Sequence, residues 1–351
     1  MYLNFLKLQN FRSYKAREFR FSASSTLIIG DNAIGKTNIL EAIYLLSTGK
    51  SFRAELEREM ILFGESVGRV TGIVSDGDKT NLEVLLTTGN FDNQTVRKKK
   101  FSVNGVAKRQ MDFVGILRSV LFRPEDIEIV TDSPSVRRRY LDLVLCQVDR
   151  EYRHSILLYE KGLRARNKIL ERIREEGISS TQLFYWDKLL IKHGELVTLK
   201  RTEFIDFVNS TPDLFADLNI IYDQSAINEE RLKKYEVEEV QAATTLVGPH
   251  RDDFKIIARE KGGERDVSVY GSRGEQRLAT YWLKLGEMEF VTVKTGERPL
   301  LLLDDIFSEL DHPHRQHILE IIPKQQTIMT TTDLHLIDKS YLDKVEVVEL
   351  K

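Results

Sequence analysis

Residues 30–37 read Gly30, Asp31, Asn32, Ala33, Ile34, Gly35, Lys36 and Thr37, and their flanks decide how this turn is used. A largely apolar run, Ser25-Thr26-Leu27-Ile28-Ile29, precedes it and predicts a strand. Asn38 and the run Ile39-Leu40-Glu41-Ala42-Ile43-Tyr44-Leu45-Leu46 follow it and predict a helix. Strand, glycine-bounded turn ending in Lys-Thr, and helix together make a phosphate-binding loop. Glycine lets the backbone wrap an anion with its N–H groups inward, and the helix N-terminus adds positive potential. Lys36 is expected to reach the β- and γ-phosphates of a nucleotide, and Thr37 to offer its hydroxyl to Mg²⁺.

A second stretch supplies the metal side. Leu300-Leu301-Leu302-Leu303 is a short apolar run that predicts a buried parallel strand, and Asp304 and Asp305 close it. Asp304 is expected to hold Mg²⁺, directly or through water, and Asp305 to polarise an attacking water. Ser308, Glu309, Leu310 and Asp311 then lead into Pro313, which suits a first helical turn. Upstream, Ser272, Arg273, Gly274, Glu275, Gln276 and Arg277 open another helix, a second place where backbone N–H groups can meet an anion.

The rest of the pattern is mixed α/β. The first 20 or so residues predict a hairpin turning near residues 10–13, and residues 67–106 alternate like antiparallel strands with turns at Asp76-Gly77-Asp78 and Asn104-Gly105. Residues 135–209 are rich in Leu, Arg, Lys and Glu at helical spacing, with Gly177 marking a helix–helix connection. β-character returns near residues 218–222. From residue 275 onward helix, strand, helix, strand and a last strand alternate, as in a doubly wound sheet. These shifts divide the chain into 1–132 (loop and β region), 133–215 (an inserted helical lobe) and 216–351 (the remainder of the α/β part).

At 351 residues, 41% hydrophobic and 30% charged, the chain has the composition of a soluble globular protein. No apolar run approaches the ~18 residues of a membrane span. One cysteine, Cys146, leaves no internal disulfide to form, so the expected compartment is the cytoplasm. Net charge is −2, with basic clusters at Arg97-Lys98-Lys99-Lys100, Lys108-Arg109, Arg137-Arg138-Arg139 and along Lys161 to Arg174. The helical lobe and the region of Arg97 to Lys100 are candidates for phosphate contacts, and Arg137 to Arg139 have the alternative of a structural role, paired with Asp142 or Glu125.

The order of residues 272–277, 304–305 and 308–311 resembles the ABC-type ATPase head, in which they correspond to the signature motif, Walker B and D-loop. The fold this implies is an α/β P-loop ATPase head with an antiparallel β subregion and an inserted helical lobe, without a long coiled coil. In that class Ser272, Gly274 and Arg277 would reach the γ-phosphate held by a second copy, which implies an ATP-dependent homodimer. Further stretches resemble the RecF family closely: residues 10–14, 30–38, 40–44, 49–53, 124–126, 133–135, 137–142, 166–167 and 248–253. The family implies ATP and Mg²⁺, binding to double-stranded and gapped DNA, RecR and RecO partners, assistance in recombinase loading, and slow ATP hydrolysis used as a switch. Two glutamines usual in the family's signature are replaced by Arg273 and Glu275, and Thr330-Thr331-Thr332-Asp333 stands where many ABC-type heads place a histidine. The loop alone also suits a small-molecule kinase or the ATPase subunit of a nuclease-like defence system. The kinase reading does not need residues 272–277 or 308–311, and the defence reading would need a nuclease partner or domain, of which the sequence shows no metal-nuclease cluster.

Overall fold

The computed structural model describes residues 1–91, 94–211, 217–260, 263–308, 312–333, 335, 342 and 345–350. Glu309, Leu310 and Asp311, three of the four residues resembling a D-loop, lie outside the described residues. The chain forms two compact units, Met1–Glu125 with Val291–Lys351, and Asp126–Phe290.

The first unit holds two sheets of opposite character. A six-stranded antiparallel sheet runs in the order Tyr14–Arg20, Tyr2–Phe11, Val67–Asp76, Asp78–Thr87, Lys99–Val103, Val106–Lys108. A five-stranded parallel sheet runs in the order Ser119–Phe122, Leu300–Asp304, Thr327–Thr331, Ser25–Ile29, Glu346–Glu349. The helix Lys36–Thr48 is buried along almost its whole length, which requires apolar cover on every side. It shares one core with both sheets: Leu6, Val70 and Leu82 come from the antiparallel sheet, and Ile28, Leu302 and Ile328 from the parallel one. Approach is close enough that a Cβ on Gly72 would sit 2.6 Å from Leu46 Cδ1.

Parallel order explains the placement of the C-terminal residues. Thr327–Thr331 pairs with Leu300–Asp304 on one side and with Ser25–Ile29 on the other. The strand that ends at Asp304 and the strand that leads into Gly30 are thus separated by a single strand, and Thr330 on it lies opposite both Asp304 and Ile28.

The second unit contains the helices Pro134–Val148, Arg150–Glu176 and Phe184–Ser210 and the antiparallel strands Leu218–Asp223, Asp253–Glu260 and Gly263–Asp266. It is wider than the helical stretch 133–215 because the helices bury their apolar faces against strand residues: Phe204, Val208, Ile220, Phe254 and Leu283 belong to one core. Where the two long helices cross, Gly162 lets the backbones meet, since a Cβ there would lie 2.5 Å from Leu189 Cδ2. Gly177, with φ of 67°, caps the first of them in the left-handed conformation.

Two arginines organise this unit from inside. Arg201 is 2% exposed, and its guanidinium donates to Asp252 Oδ2 at 3.0 Å, Asp142 Oδ1 at 2.9 Å and the Pro249 carbonyl at 2.7 Å. The Tyr152 and Tyr222 hydroxyls donate to the same two carboxylates. Arg166, equally buried, pairs with Asp187 at 2.6 Å and Glu239 at 2.7 Å. A buried ion pair gains little against an apolar replacement, but removing one partner strands a charge away from water. Arg201→Ala is therefore expected to destabilise the Asp126–Phe290 unit by about 3–5 kcal/mol, measured by urea unfolding. A loss no larger than that of an exposed arginine would refute the hub.

Candidate functional site

The site is built at the C-terminal ends of the parallel strands, where ligands of open α/β sheets bind. The turn after Ile29 reverses through Ala33 (φ 64°) and Gly35 (φ 113°). Gly35 is required for its conformation and for space: a Cβ would sit 2.8 Å from the Tyr14 hydroxyl. Asp31, Asn32 and Ala33 are exposed at the rim, Ile34 is half-buried, and Gly30 is closely covered by Ile34 and Leu350.

Lys36 lies inside the turn. Its ammonium donates to the Gly30 carbonyl at 2.6 Å and the Asp31 carbonyl at 2.9 Å. Burial pushes its pKa down, opposed by the charges of Asp305, Asp304 and Asp31. Thr37 Oγ1 donates to Asp304 Oδ1 at 3.0 Å, joining residues 267 positions apart. Asp304 is 7% exposed, and burial raises its pKa, while hydrogen bonds from Thr330 and Thr37 pull it back down. The structure thus brings together Lys36, Thr37, Asp304 and Asp305, the residues in which the sequence locates the chemistry. A hydroxyl and a carboxylate at hydrogen-bond distance are hard oxygen donors of the kind Mg²⁺ takes. The loop fits a nucleotide phosphate and this pair fits its metal.

Of the stretch Thr330-Thr331-Thr332-Asp333, where a hydroxyl or Asp333 is expected to serve in place of a histidine, Thr330 is the one that reaches the acids. Its hydroxyl donates to Asp304 Oδ1 at 2.8 Å and accepts from the Asp305 N–H at 3.1 Å. One side chain therefore holds both acids, and Asp305 takes the left-handed conformation (φ 49°) that turns the chain away from the strand. Thr331 instead closes a local turn with Asp333, accepting from the Asp333 N–H at 3.2 Å.

A buried carboxylate supports the loop helix from behind. Glu41 is fully buried and receives a bidentate pair from Arg12, at 2.6 and 2.7 Å, and the Ser51 hydroxyl at 2.5 Å. Asn38 donates to Ser13 Oγ at 3.0 Å and accepts from Arg53 at 3.2 Å. Four stretches that resemble the RecF family, residues 10–14, 30–38, 40–44 and 49–53, are thereby joined around one helix. The signal in the sequence was the isolated Glu41 on an otherwise apolar helix, which needs a cation to be buried.

Ser272, Gly274 and Arg277 lie in the other compact unit and are exposed on the first turn of the helix Arg273–Thr295. Among the basic candidates, several are committed within the protein. Arg137 pairs with Asp253 at 2.5 Å rather than with Asp142, Arg138 donates to the Asp252 carbonyl, and Arg166 is fully buried in its pairs. Lys99 pairs with Glu57 and Arg109 with Asp112. Arg97, Lys98, Lys100 and Lys108 are exposed at one edge of the antiparallel sheet. His250 is structural: its Nε2–H donates to the Thr245 carbonyl, so Nδ1 accepts from Tyr159, and burial lowers its pKa to about 4. No group of His, Cys, Asp and Glu among the described residues forms a separate metal centre. No helix among them is long and apolar enough to cross a membrane.

Comparison with known proteins agrees with this geometry. The family described as RecF/RecN/SMC N terminal domain matches residues 2–348. The DNA replication and repair protein RecF of Herpetosiphon aurantiacus is 36% identical, over 98% of this chain and 97% of its own. That of Latilactobacillus sakei is 34% identical, over 97% and 95%. A solved structure of the recombination mediator protein RecF-ATP of the RecFOR pathway aligns with a TM-score of 0.87 at 34% identity, covering 96% of this chain and 93% of that one. An Smc head bound to the C-winged helix domain of ScpA, 16% identical with a TM-score of 0.51, shares the fold.

The Thr330 contacts give a pH prediction. Metal binding needs Asp304 ionised, and Thr330 is the larger of the two hydrogen bonds that hold its raised pKa down. Thr330→Val should raise that pKa further and move the acid-side loss of Mg²⁺–nucleotide affinity to higher pH. Calorimetric titration across the acid range measures the limb. An unmoved limb would mean that Thr330 does not tune Asp304.

Proposed function

The chain belongs to the RecF family, and from that premise we propose an ATP-driven switch that binds DNA in recombinational repair and replication. In this reading two copies close on ATP, hold duplex or gapped DNA, and assist recombinase loading together with RecR and RecO homologues. Hydrolysis is weak, DNA-stimulated and used for release. The observation that carries the reading is the Thr37–Asp304 contact at 3.0 Å beside a buried Lys36. It supports a Mg²⁺–triphosphate site assembled within one chain.

Lys36 would exchange its two carbonyl partners for phosphate oxygens, keeping its charge in a site whose acids favour the ammonium. Mg²⁺, held by Thr37 and Asp304 when bound, would screen the phosphate charge. Asp305, fixed through its N–H by Thr330, would orient and deprotonate water. The outer face of the γ-phosphate would be left to a second copy. Ser272, Gly274 and Arg277 of that copy would contact it. The exposed pair Val269 (67%) and Tyr270 (70%) beside that turn favours a face covered only on association. Loss of the γ-phosphate removes the differential contact and frees the dimer.

For DNA, the exposed edge with Arg97, Lys98, Lys100 and Lys108 supports backbone contacts without base readout. Asp305→Asn should trap the ATP-bound form: it should sediment as a dimer with ATP, as a monomer without, and retain gapped duplex only with ATP. Alanine at Arg97, Lys98 and Lys100 in that variant should flatten the salt dependence of DNA binding. A variant that stays monomeric with ATP would contradict the switch, and an unchanged salt slope would remove this edge from the DNA contact.

A further inference from the structure

The turn proposed to meet a phosphate carries an acid. Ser272 and Glu275 cap the helix reciprocally: the Ser272 N–H donates to Glu275 Oε2 at 2.7 Å, and the Glu275 N–H donates to Ser272 Oγ at 3.3 Å. This is a Ser-x-x-Glu capping box, and it leaves the Ser272 hydroxyl proton unused by the box. Arg265, on the strand Gly263–Asp266, grips the carboxylate from behind. One guanidinium nitrogen donates to Glu275 Oε1, and the other lies 3.4 Å from Oε2 and donates to the Tyr270 carbonyl at 3.1 Å. Arg265 thus ties together the strand, the end of the short helix Val267–Tyr270 that leads to Ser272, and the first turn of the next helix. With Arg265 as the leading cause, the Glu275 carboxyl is held down to about 2, so the acid is ionised throughout the physiological range.

A helix N-terminus carries about half a positive charge, and a full negative charge in the first turn cancels it for an incoming anion. Gln at this position, the family's usual residue, would close the same capping box without charge. Glu275 closes it and requires a counter-charge. We infer that Arg265 is the positioning residue of the signature turn, neutralising Glu275 and fixing the capping box so that Ser272 and the helix dipole meet the γ-phosphate of the second copy. The inference rests on the trans reading given above.

Sedimentation at increasing ATP, with monomer ATP affinity measured in parallel, tests it on Arg265→Ala, Glu275→Gln, the double variant and Ser272→Arg. Arg265→Ala should raise the ATP concentration for half-association roughly tenfold. Glu275→Gln should lower it, because Arg265 then leaves the turn positive. In the Glu275→Gln background the loss of Arg265 should cost far less than in the native chain, and ATP binding by the monomer should be unchanged throughout. Equal cost in both backgrounds would assign Arg265 a fold-holding role and overturn the inference, as would a Glu275→Gln variant that associates no better than the native chain. If Ser272→Arg abolishes association while Arg265→Ala behaves as native, Arg265 alone is wrongly assigned. If Ser272→Arg associates normally, the trans reading itself fails.

Discussion

The contact between Thr37, Asp304 and Thr330 is the point on which the first unit depends. Thr37 opens a helix near the start of the chain, and Asp304 and Thr330 end strands near its finish. Their side chains meet only if the strand Thr327–Thr331 is inserted between the strands that lead to Gly30 and Asp304. That order makes the site an N-terminal and C-terminal collaboration, with residues 126–290 folding as a unit of their own between the two. Hydroxyls suit the junction because Asp304 is buried: Thr37 and Thr330 each stabilise its ionised form without adding a charge that would compete with a metal.

Rigidity behind the loop comes from a different kind of contact. Glu41 accepts two bonds from Arg12 and one from Ser51 in a position with no access to water. Such a network, fully satisfied, specifies one arrangement of hairpin turn, helix and following loop. Arg201 and Arg166 do the same for the second unit, linking helices to the strands and turns against which they pack. The two units therefore rely on one device, a buried guanidinium or carboxylate whose partners come from distant parts of the chain.

Local features were legible in the sequence and distant pairings were not. The loop at Gly30–Thr37, the apolar strand into Asp304, the antiparallel region 67–106 and the connection at Gly177 all announce themselves through period, turn residues or glycine. The helices Arg150–Glu176 and Phe184–Ser210 follow their periodicity, yet the break at Asp149, which caps Tyr152 through its side chain, is hidden in a continuous helical composition. Arg166 looked like one more surface cation on a basic helix, and only the fold shows Glu239 and Asp187 opposite it. Thr330 was visible as a hydroxyl in a threonine run, but its tie to both Asp304 and Asp305 comes from strand order, which no local pattern encodes. Glu275 read as a departure from the family's signature, and its meaning emerged from Arg265, ten residues away across a turn.

The central claim is that a working nucleotide site takes its loop from one copy and its signature turn from another. Mixing a Lys36→Ala chain with a Ser272→Arg chain tests this most directly. The first keeps an intact signature turn and the second an intact loop, so a heterodimer holds one complete site and one broken site. Sedimentation with ATP should show each variant monomeric alone and the mixture associating, more weakly than the native chain, with one nucleotide bound per pair. A mixture that remains monomeric, or a Ser272→Arg chain that associates by itself, would contradict the account.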